Sequence, residues 1–499
     1  MKARVTDRVY RYASEFGKDA FDACGERSKV LKNFAALFMA DVLSKMLTLL
    51  AVGYLARMLD SDTFGRIALA ESLLFAALLV ADFGLEWYGV REIARSHVPV
   101  PDNVATVSAL RLALFACVIA VFAFLPVFSR KPADVGIMIW LFGLGLVPNA
   151  LLLEWVFCGL ERMEIVALGR LLRSGLYTLM ILTLIEGNQT AIAVPIIYFI
   201  ATSLGAAVLL AIYVRDFGVP PMKWQARKWR GVLAGSVPFA FNVLMLRGYY
   251  STSMVVLAMY ASDSALGIFS AAYRPVLVLV PLGGYLMTAV FPPLARAGNA
   301  LSHESQKLSR RLVTGVVMCS APILVGSLLH SERVMQIFFG SQYTSGGDAF
   351  RALVLSLPVM WMSMAYGTLL MSTERTAGFM VGVVAGLVTS GLLSMVLVPM
   401  HNIEGAAWSV LGGQLTCLLF FLASLPAGAR CIPWTEFVVA LLGSAVMAGV
   451  ILILQSSTLT VQMGAGFLAY ATVALTCLAV RSGANLRWRS RSHVGTVVE

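Results

Sequence analysis

Long apolar stretches separated by short polar segments follow one another along almost the whole chain. Each is about 20 residues long, the length at which an α-helix crosses the hydrocarbon core of a bilayer. Fourteen such stretches are predicted, at residues 34–56, 67–90, 104–128, 136–158, 165–185, 190–213, 232–259, 265–292, 309–330, 349–371, 376–398, 404–425, 433–454 and 460–480. The pattern therefore predicts an all-α polytopic membrane protein with about 14 transmembrane helices.

Lysine and arginine are distributed unevenly between the two sides that this topology creates. With both termini on one side, 28 of the 38 Lys and Arg residues fall on that side, 6 on the opposite side and 4 within spans. Because such residues collect in cytoplasmic loops, both termini are predicted to be cytoplasmic. The net charge of +11 follows the same face, which indicates contact with anionic lipid headgroups rather than with nucleic acid.

Composition excludes several other classes of protein. Hydrophobic residues make up 59% of the chain and charged residues 13%, which is too apolar for a soluble globular protein. The seven cysteines form no C-x-x-C pair, so no disulfide framework or metal site is predicted. Sequence signatures of nucleotide-binding loops, zinc proteases and serine hydrolases are also absent. The sequence therefore gives no support for an enzyme.

Two membrane segments match each other at an offset of 202 residues. The segment Leu55–Ile67 aligns with Leu257–Phe269, and on the same frame Lys45 aligns with Arg247. Secondary transporters are commonly built from such repeats and bind substrate near the bilayer midplane between them. A charged side chain at that depth costs free energy. We therefore take the matched pair of cations, Lys45 and Arg247, as a hypothesis for a functional site.

Four basic residues are predicted deep inside spans: Lys45, Arg111, Arg247 and Arg274. The acidic residues predicted at depth are Asp41 and Asp82, whereas Glu71, Glu86 and Glu154 fall nearer to span ends. Asp41 and Lys45 are four residues apart and share a helix face, which predicts an ion pair. Such a pair either takes part in transport or only holds helices together.

Arg247 and Arg274 have no acidic residue at helical spacing in their own spans, and Pro238 and Pro275 predict bends in these two helices. Two interpretations are open. The guanidinium groups face water or an anion, for which arginine offers paired donors. Alternatively, they extend to the interface or pair with Asp82 or Glu154 of another span. The first interpretation predicts a cationic cavity for an anionic substrate.

Several stretches, in this order and spacing, resemble the polysaccharide and O-antigen flippases, relatives of the multidrug (MATE) exporters and the lipid II flippases. The resemblance extends from about residue 33 to residue 425. The matching stretches are residues 54–65, which begin with Tyr-Leu-Ala-Arg, 82–85 (Asp-Phe-Gly-Leu), 90–95, 154–161, 337–340 with Tyr343, and 404–408.

The resemblance implies two pseudo-symmetric six-helix lobes around a cavity that opens alternately to either side, plus two C-terminal helices. The implied organisation is a basic N-terminal segment (1–33), a first lobe (34–214), a linker (215–231), a second lobe (232–425), two extra helices (426–480) and a tail (481–499). It places the cavity lining on the first, second, seventh and eighth helices. These helices carry Lys45, Asp41, Asp82, Arg247 and Arg274.

The cargo that the resemblance implies is an isoprenoid-diphosphate-linked glycan, moved across the bacterial inner membrane. It further implies a proton or sodium gradient as driving force, with Asp41 and Asp82 as candidates for coupling, and a polysaccharide polymerase and glycosyltransferases as partners. Arg111 completes the predicted substrate-binding set with Lys45, Arg247 and Arg274. Three alternatives are a lipid II flippase, a multidrug cation exporter, and, from a different class, a membrane sugar polymerase or ligase.

Overall fold

The computed structural model describes residues 37–95, 99–128, 133–219, 226–297, 303–373, 375–426, 428, 430 and 433–494, and its regular structure within them is helical. The first nine helices are α1 (Leu37–Met58), α2 (Ser61–Asp82), α3 (Leu85–Ala94), α4 (Val100–Phe128), α5 (Ala133–Leu144), α6 (Leu146–Ala150), α7 (Glu154–Gly159), α8 (Met163–Leu184) and α9 (Ala193–Phe217). The others are α10 (Ala226–Tyr260), α11 (Asp263–Ala297), α12 (His303–Leu329), α13 (Ser331–Phe339), α14 (Gly347–Ser372), α15 (Thr376–Ser424), α16 (Trp434–Ile453) and α17 (Leu459–Val494).

The number of membrane crossings depends on how α10 and α15 are counted. Twelve helices of the described chain are long and apolar enough to span a bilayer, or thirteen when the bent helix α10 counts as one span. That count takes α15 as a single helix of 49 residues. At about 1.5 Å per residue, such a helix would be far longer than the roughly 30 Å hydrocarbon core.

Helix α15 is in fact a hairpin that turns at Asn402, where the backbone is non-helical (φ 50°, ψ −121°). Its two halves lie directly against each other. A Cβ atom on Gly405 would lie 2.1 Å from the Leu397 oxygen, and one on Gly382 would lie 2.5 Å from the ring of Phe421. Small residues allow membrane helices to approach this closely. Two spans within α15 bring the total to the predicted fourteen.

The helices form two lobes with a helix pair beside the second. We use "N-lobe" for α1–α9 and "C-lobe" for α10–α15. The lobes meet mainly where α2 packs against α10 and α11, while α16 packs against α12 and α17. The hydroxyl of Tyr470 in α17 donates a hydrogen bond of 3.0 Å to the Met318 oxygen of α12. The C-terminal pair is therefore attached to the C-lobe, away from the contact between the lobes.

The internal repeat is visible in how equivalent helices begin. The side chain of Asp60 accepts a hydrogen bond of 2.7 Å from the Thr63 amide at the start of α2. The side chain of Ser262 accepts one of 3.3 Å from the Ala265 amide at the start of α11. Both the caps and their donors are 202 residues apart, so α2 and α11 start at equivalent positions of the repeat.

Some predicted boundaries differ from the structure. The second span was predicted at residues 67–90, but α2 covers Ser61–Asp82 and a separate helix, α3, follows it. Asp60 caps the N-terminus of α2 from the position just before the helix. The first turn of α2, although it is charged, therefore belongs to the span. Helix α17 continues to Val494 through most of the predicted tail, and the predicted N-terminal segment 1–33 lies outside the described residues.

Candidate functional site: a cationic cavity between the lobes

A cavity of about 290 Å³ lies where α1 and α2 of the N-lobe face α10 and α11 of the C-lobe. Three of the four predicted cations contribute to its wall: Lys45, Arg247 and Arg274. The other lining residues are uncharged: Thr48, Leu49, Val52, Phe75, Tyr250, Leu277 and Val278. Among the described residues, the wall thus carries three basic side chains and no carboxylate. Such a wall suits an anionic ligand.

Arg247 stands at a bend in α10. The segments Arg227–Met245 and Arg247–Tyr260 meet at 58°, so the bend lies directly before Arg247 rather than at Pro238. The Arg247 side chain is exposed and forms no ion pair with any described residue. Since a guanidinium group cannot lose its proton in a protein, this side chain is free to meet an anion in the cavity.

Lys45 pairs with Asp41, as the sequence predicted. The carboxylate of Asp41 also accepts hydrogen bonds from Tyr285 of α11 (2.8 Å) and from Arg170 of α8 (3.3 Å). Arg170 in turn donates to Glu154 over 2.9 Å. Asp41 therefore belongs to a charge network inside the N-lobe that reaches the C-lobe through one tyrosine, and it does not line the cavity.

Arg274 pairs with Glu71, so the alternative interpretation was right that this arginine has a partner in another span but named the wrong carboxylates, Asp82 and Glu154. Its Nη1 donates to Oε1 of Glu71 over 3.3 Å, and its Nη2 donates to Oε2. The side chains are only 10% and 15% exposed. The sequence predicts Glu71 near a span end, but it is the eleventh of the 22 residues of α2 and so lies at mid-helix.

Arg111 lies apart from the cavity. Its side chain is 3% exposed and pairs with Asp82 (3.1 Å) and Glu86 (2.6 Å). It also donates to the backbone oxygen of Leu152 over 2.9 Å. All of these residues belong to the N-lobe. The structure therefore brings together three of the four predicted cations and places Arg111 and Asp82 in a separate pair at the end of α2.

On the predicted outer side, the lobes touch at two glycines that occupy equivalent positions of the repeat. A Cβ atom on Gly65 would lie 1.7 Å from the Asp263 oxygen and 2.9 Å from the Gly267 nitrogen. A Cβ atom on Gly267 would lie 2.4 Å from the Ser61 oxygen. Helices α2 and α11 thus cross with backbone against backbone, and only glycine fits at both positions.

Polar contacts surround this crossing. The hydroxyl of Ser264 donates to that of Ser61 over 2.7 Å, and Arg66 donates to Asp263 over 3.0 Å. The Gln342 amide, from the turn after α13, donates to two backbone oxygens at the end of α1 over 2.6 and 3.0 Å. Each bond joins the N-lobe to the C-lobe, so the outer side of the cavity is closed.

The lobes also touch on the predicted inner side. Gly84 has a left-handed backbone (φ 74°), and a Cβ atom there would lie 2.4 Å from the Ala240 nitrogen of α10. The guanidinium group of Arg91 lies 5.3 Å from the ring centre of Phe239. Small-molecule pockets usually occupy about 300–1,000 Å³. A cavity of about 290 Å³ is at the small end of this scale and has lobe contacts on both sides, so a large substrate requires the lobes to separate.

A family model described as "Polysaccharide biosynthesis protein" matches residues 30–297, more than half of the chain. The chain belongs to this family. A putative O-antigen transporter from Shigella dysenteriae is 19% identical over 407 residues, which cover 79% of this chain and 99% of that protein.

Among solved structures, members of two transporter groups share the fold of this polysaccharide biosynthesis family protein. A lipid II flippase, MurJ, in an inward closed conformation, has a TM-score of 0.72 at 12% identity and covers 88% of this chain and 97% of its own. An inward-facing multidrug resistance MATE transporter has a TM-score of 0.61 at 15% identity, covering 76% and 93%. The predicted fold and family resemblance are confirmed.

Sequence reasoning missed two residues at the site of this family member. Tyr285 joins Asp41 to the C-lobe, and no local spacing in the sequence relates the two residues. Glu71 was placed too near a span end, although it holds Arg274. The available signal was the capping residue Asp60, which moves the start of α2 outward and Glu71 into mid-membrane.

Proposed function

We propose that this protein is a flippase that moves an isoprenoid-diphosphate-linked oligosaccharide across the bacterial inner membrane by alternating access. The observation that carries the proposal is the cavity, where Lys45, Arg247 and Arg274 from both lobes meet without a lining carboxylate. A diphosphate offers several anionic oxygens, and arginine binds phosphate through paired donors. The O-antigen transporter relative supports a glycan as the attached group.

The charge of the cavity argues against organic cations as substrates. Carboxylates would favour a bound cation, whereas the described residues that line this cavity supply three basic groups. A lipid II flippase is the closer alternative, because its substrate also carries a diphosphate. The two substrates differ in the group attached to the diphosphate, so transport of each has to be compared directly.

The orientation and energy source form part of the proposal. Both termini are proposed to be cytoplasmic, in agreement with the excess of Lys and Arg on that side. A proton or sodium gradient is the proposed driving force, with Asp41 and Asp82 as the coupling candidates from the sequence. A polymerase and glycosyltransferases that act on the same glycan are the proposed partners.

The test measures flipping in proteoliposomes. A short isoprenoid-diphosphate disaccharide with a fluorescent label is followed by the fraction that a membrane-impermeant reductant can quench. We expect Arg247→Ala to reduce the initial rate at least tenfold and Arg247→Lys to restore part of it, because one charged hydrogen bond contributes about 1.5–3 kcal/mol. Arg215→Ala is the control, since that side chain is 74% exposed and lies outside the cavity.

The outcomes separate the alternatives. Unchanged flipping by Arg247→Ala, in protein that reaches the vesicles folded, would refute a role for the cavity in binding the diphosphate. Flipping of a labelled lipid II but not of the disaccharide would favour the lipid II alternative. Wild-type protein that moves neither lipid would overturn the proposed function.

A further inference from the structure

The Glu71–Arg274 pair joins the two lobes at the cavity wall, whereas the pairs of Asp41 and Asp82 lie within one lobe. Asp41 has its charged partners, Lys45 and Arg170, within the N-lobe. Asp82 likewise pairs inside the N-lobe. Glu71 lies in α2 of the N-lobe, whereas Arg274 lies in α11 of the C-lobe. Separation of the lobes therefore has to break this buried pair.

Arg274 belongs to the cavity wall and to the lobe contact at the same time. It lines the cavity, yet both of its terminal nitrogens are directed to Glu71. Its Nε–H has no acceptor among the described residues, although Arg274 is only 9% exposed. The guanidinium group of Arg274 therefore has one N–H donor that is not used. Its two terminal nitrogens, which can bind an anion through paired hydrogen bonds, are held by the carboxylate of Glu71.

The pair is also close to the glycine crossing on the outer side. Glu71 is six residues from Gly65 along α2, and Arg274 is seven residues from Gly267 along α11. At about 1.5 Å per residue, the pair lies roughly 10 Å from the crossing. A change at the pair therefore acts on the same two helices that close the outer side.

We propose that Glu71 is an internal counter-anion that holds Arg274 while the cavity is empty and yields it to the diphosphate of the substrate. The exchange loosens α2 from α11 and so links loading of the cavity to opening of the outer side. This inference rests on the proposed function. The two terminal nitrogens of one guanidinium group cannot donate their pair of hydrogen bonds to a carboxylate and to a phosphate at the same time. The two anions therefore compete for Arg274.

The surroundings of Glu71 support an exchange rather than a fixed pair. Tyr177 of α8 and Tyr250 of α10 lie close enough to interact electrostatically with both Glu71 and Arg274. Tyr250 shares a hydrogen bond of 3.2 Å with the Ser270 hydroxyl. After Arg274 turns to the substrate, these polar side chains remain in the electrostatic surroundings of the carboxylate, which reduces the cost of leaving it inside the membrane.

A disulfide reporter measures the outer contact directly. Ser61 and Ser264 have their hydroxyl oxygens 2.7 Å apart, so cysteines at both positions can form a disulfide, whose bond length is about 2.05 Å. The rate of its formation reports how often the lobes touch. Ser61→Cys and Ser264→Cys alone are the controls for reactions of the native cysteines.

The experiment combines this reporter with Glu71→Gln and uses farnesyl diphosphate as the probe. In the protein that carries only the two reporter cysteines, we expect the probe to slow disulfide formation. With Glu71→Gln, we expect slow formation even without the probe, no further slowing by the probe, and binding of the probe on the order of tenfold tighter, because the competing anion is gone.

A matched control is Glu436→Gln. Glu436 is another buried carboxylate and pairs with Arg310 over 3.5 Å, but it joins α16 to α12 and is remote from the lobe contact. We expect it to leave both the reporter and the binding unchanged. If Glu71→Gln alone does not fold, the double change Glu71→Gln with Arg274→Gln removes both charges. It should then show the slow disulfide formation and no response to the probe.

Other results would overturn the inference. Weaker binding by Glu71→Gln would show that Glu71 orients Arg274 instead of competing for it. Unchanged binding and an unchanged disulfide rate would show that the pair is only structural. If wild-type protein does not bind farnesyl diphosphate, the proposed function fails, while the reporter without probe still decides whether the pair holds the lobes together.

Discussion

Replacement of Gly65 by alanine should open the outer side of the protein. The added Cβ atom would lie 1.7 Å from the Asp263 oxygen, half of the 3.4 Å at which ordinary contact begins. The atoms that this Cβ would meet belong to the backbone of α11 and cannot turn away as a flexible side chain could. Helices α2 and α11 must therefore move apart. Overpacking costs about 1–3 kcal/mol, and loss of the Ser61–Ser264 hydrogen bond about 0.5–1.5 kcal/mol more. The total of about 1.5–4.5 kcal/mol lowers the ratio of closed to open molecules roughly 10- to 1,600-fold.

The assay is labelling of a cavity cysteine from outside. Thr48 lines the cavity, so Thr48→Cys should react with a membrane-impermeant maleimide much faster when Gly65→Ala is also present. Gly175→Ala is the matched control, because a Cβ atom at Gly175 meets nothing within 4 Å. Equal labelling in the two backgrounds would refute the reasoning, and a loss of thermal stability without faster labelling would place the strain inside the lobes.

Two further predictions concern stability. Arg111→Met should lower the free energy of unfolding by about 3–5 kcal/mol, because it leaves the Asp82 carboxylate buried without its partner. Adding Asp82→Asn should recover part of the loss. Wild-type thermal stability of the Arg111→Met protein would contradict this prediction. Burial raises the pKa of Asp60, but hydrogen bonds from Thr63 and Asn188 outweigh it and hold the pKa below its usual range. The stabilisation is therefore present above the unfolded pKa of about 4 and is lost as the pH falls through the folded pKa. Asp60→Asn should flatten the acid side of a plot of unfolding free energy against pH. Parallel plots for the wild type and the variant would exclude this effect.

The sequence predicts the fold well because the bilayer allows few solutions. A backbone in hydrocarbon must bond internally, so an apolar stretch of span length in this chain has to be a helix. The repeat offset of 202 residues then pairs Gly65 with Gly267, which meet in the structure. Even the hairpin of α15 follows from two predicted spans with a short turn near Asn402.

Contacts between distant spans are the part that the sequence could not predict. Glu71 and Arg274 are 203 residues apart, and no local spacing rule relates them. The same holds for Asp41 and Tyr285, which lie 244 residues apart. The i, i+4 rule found the pair of Asp41 and Lys45 because those partners share a helix.

The charge available to a substrate therefore depends on pairing rather than on the number of buried cations. Arg111 is neutralised inside one lobe and has no part in the cavity wall. Arg274 is neutralised across the lobe contact, so its charge becomes available only when that contact changes. Arg247 has no ion pair with a described residue. An anion that enters should thus meet Arg247 first and Arg274 second, and this order makes binding and opening consecutive steps of one movement.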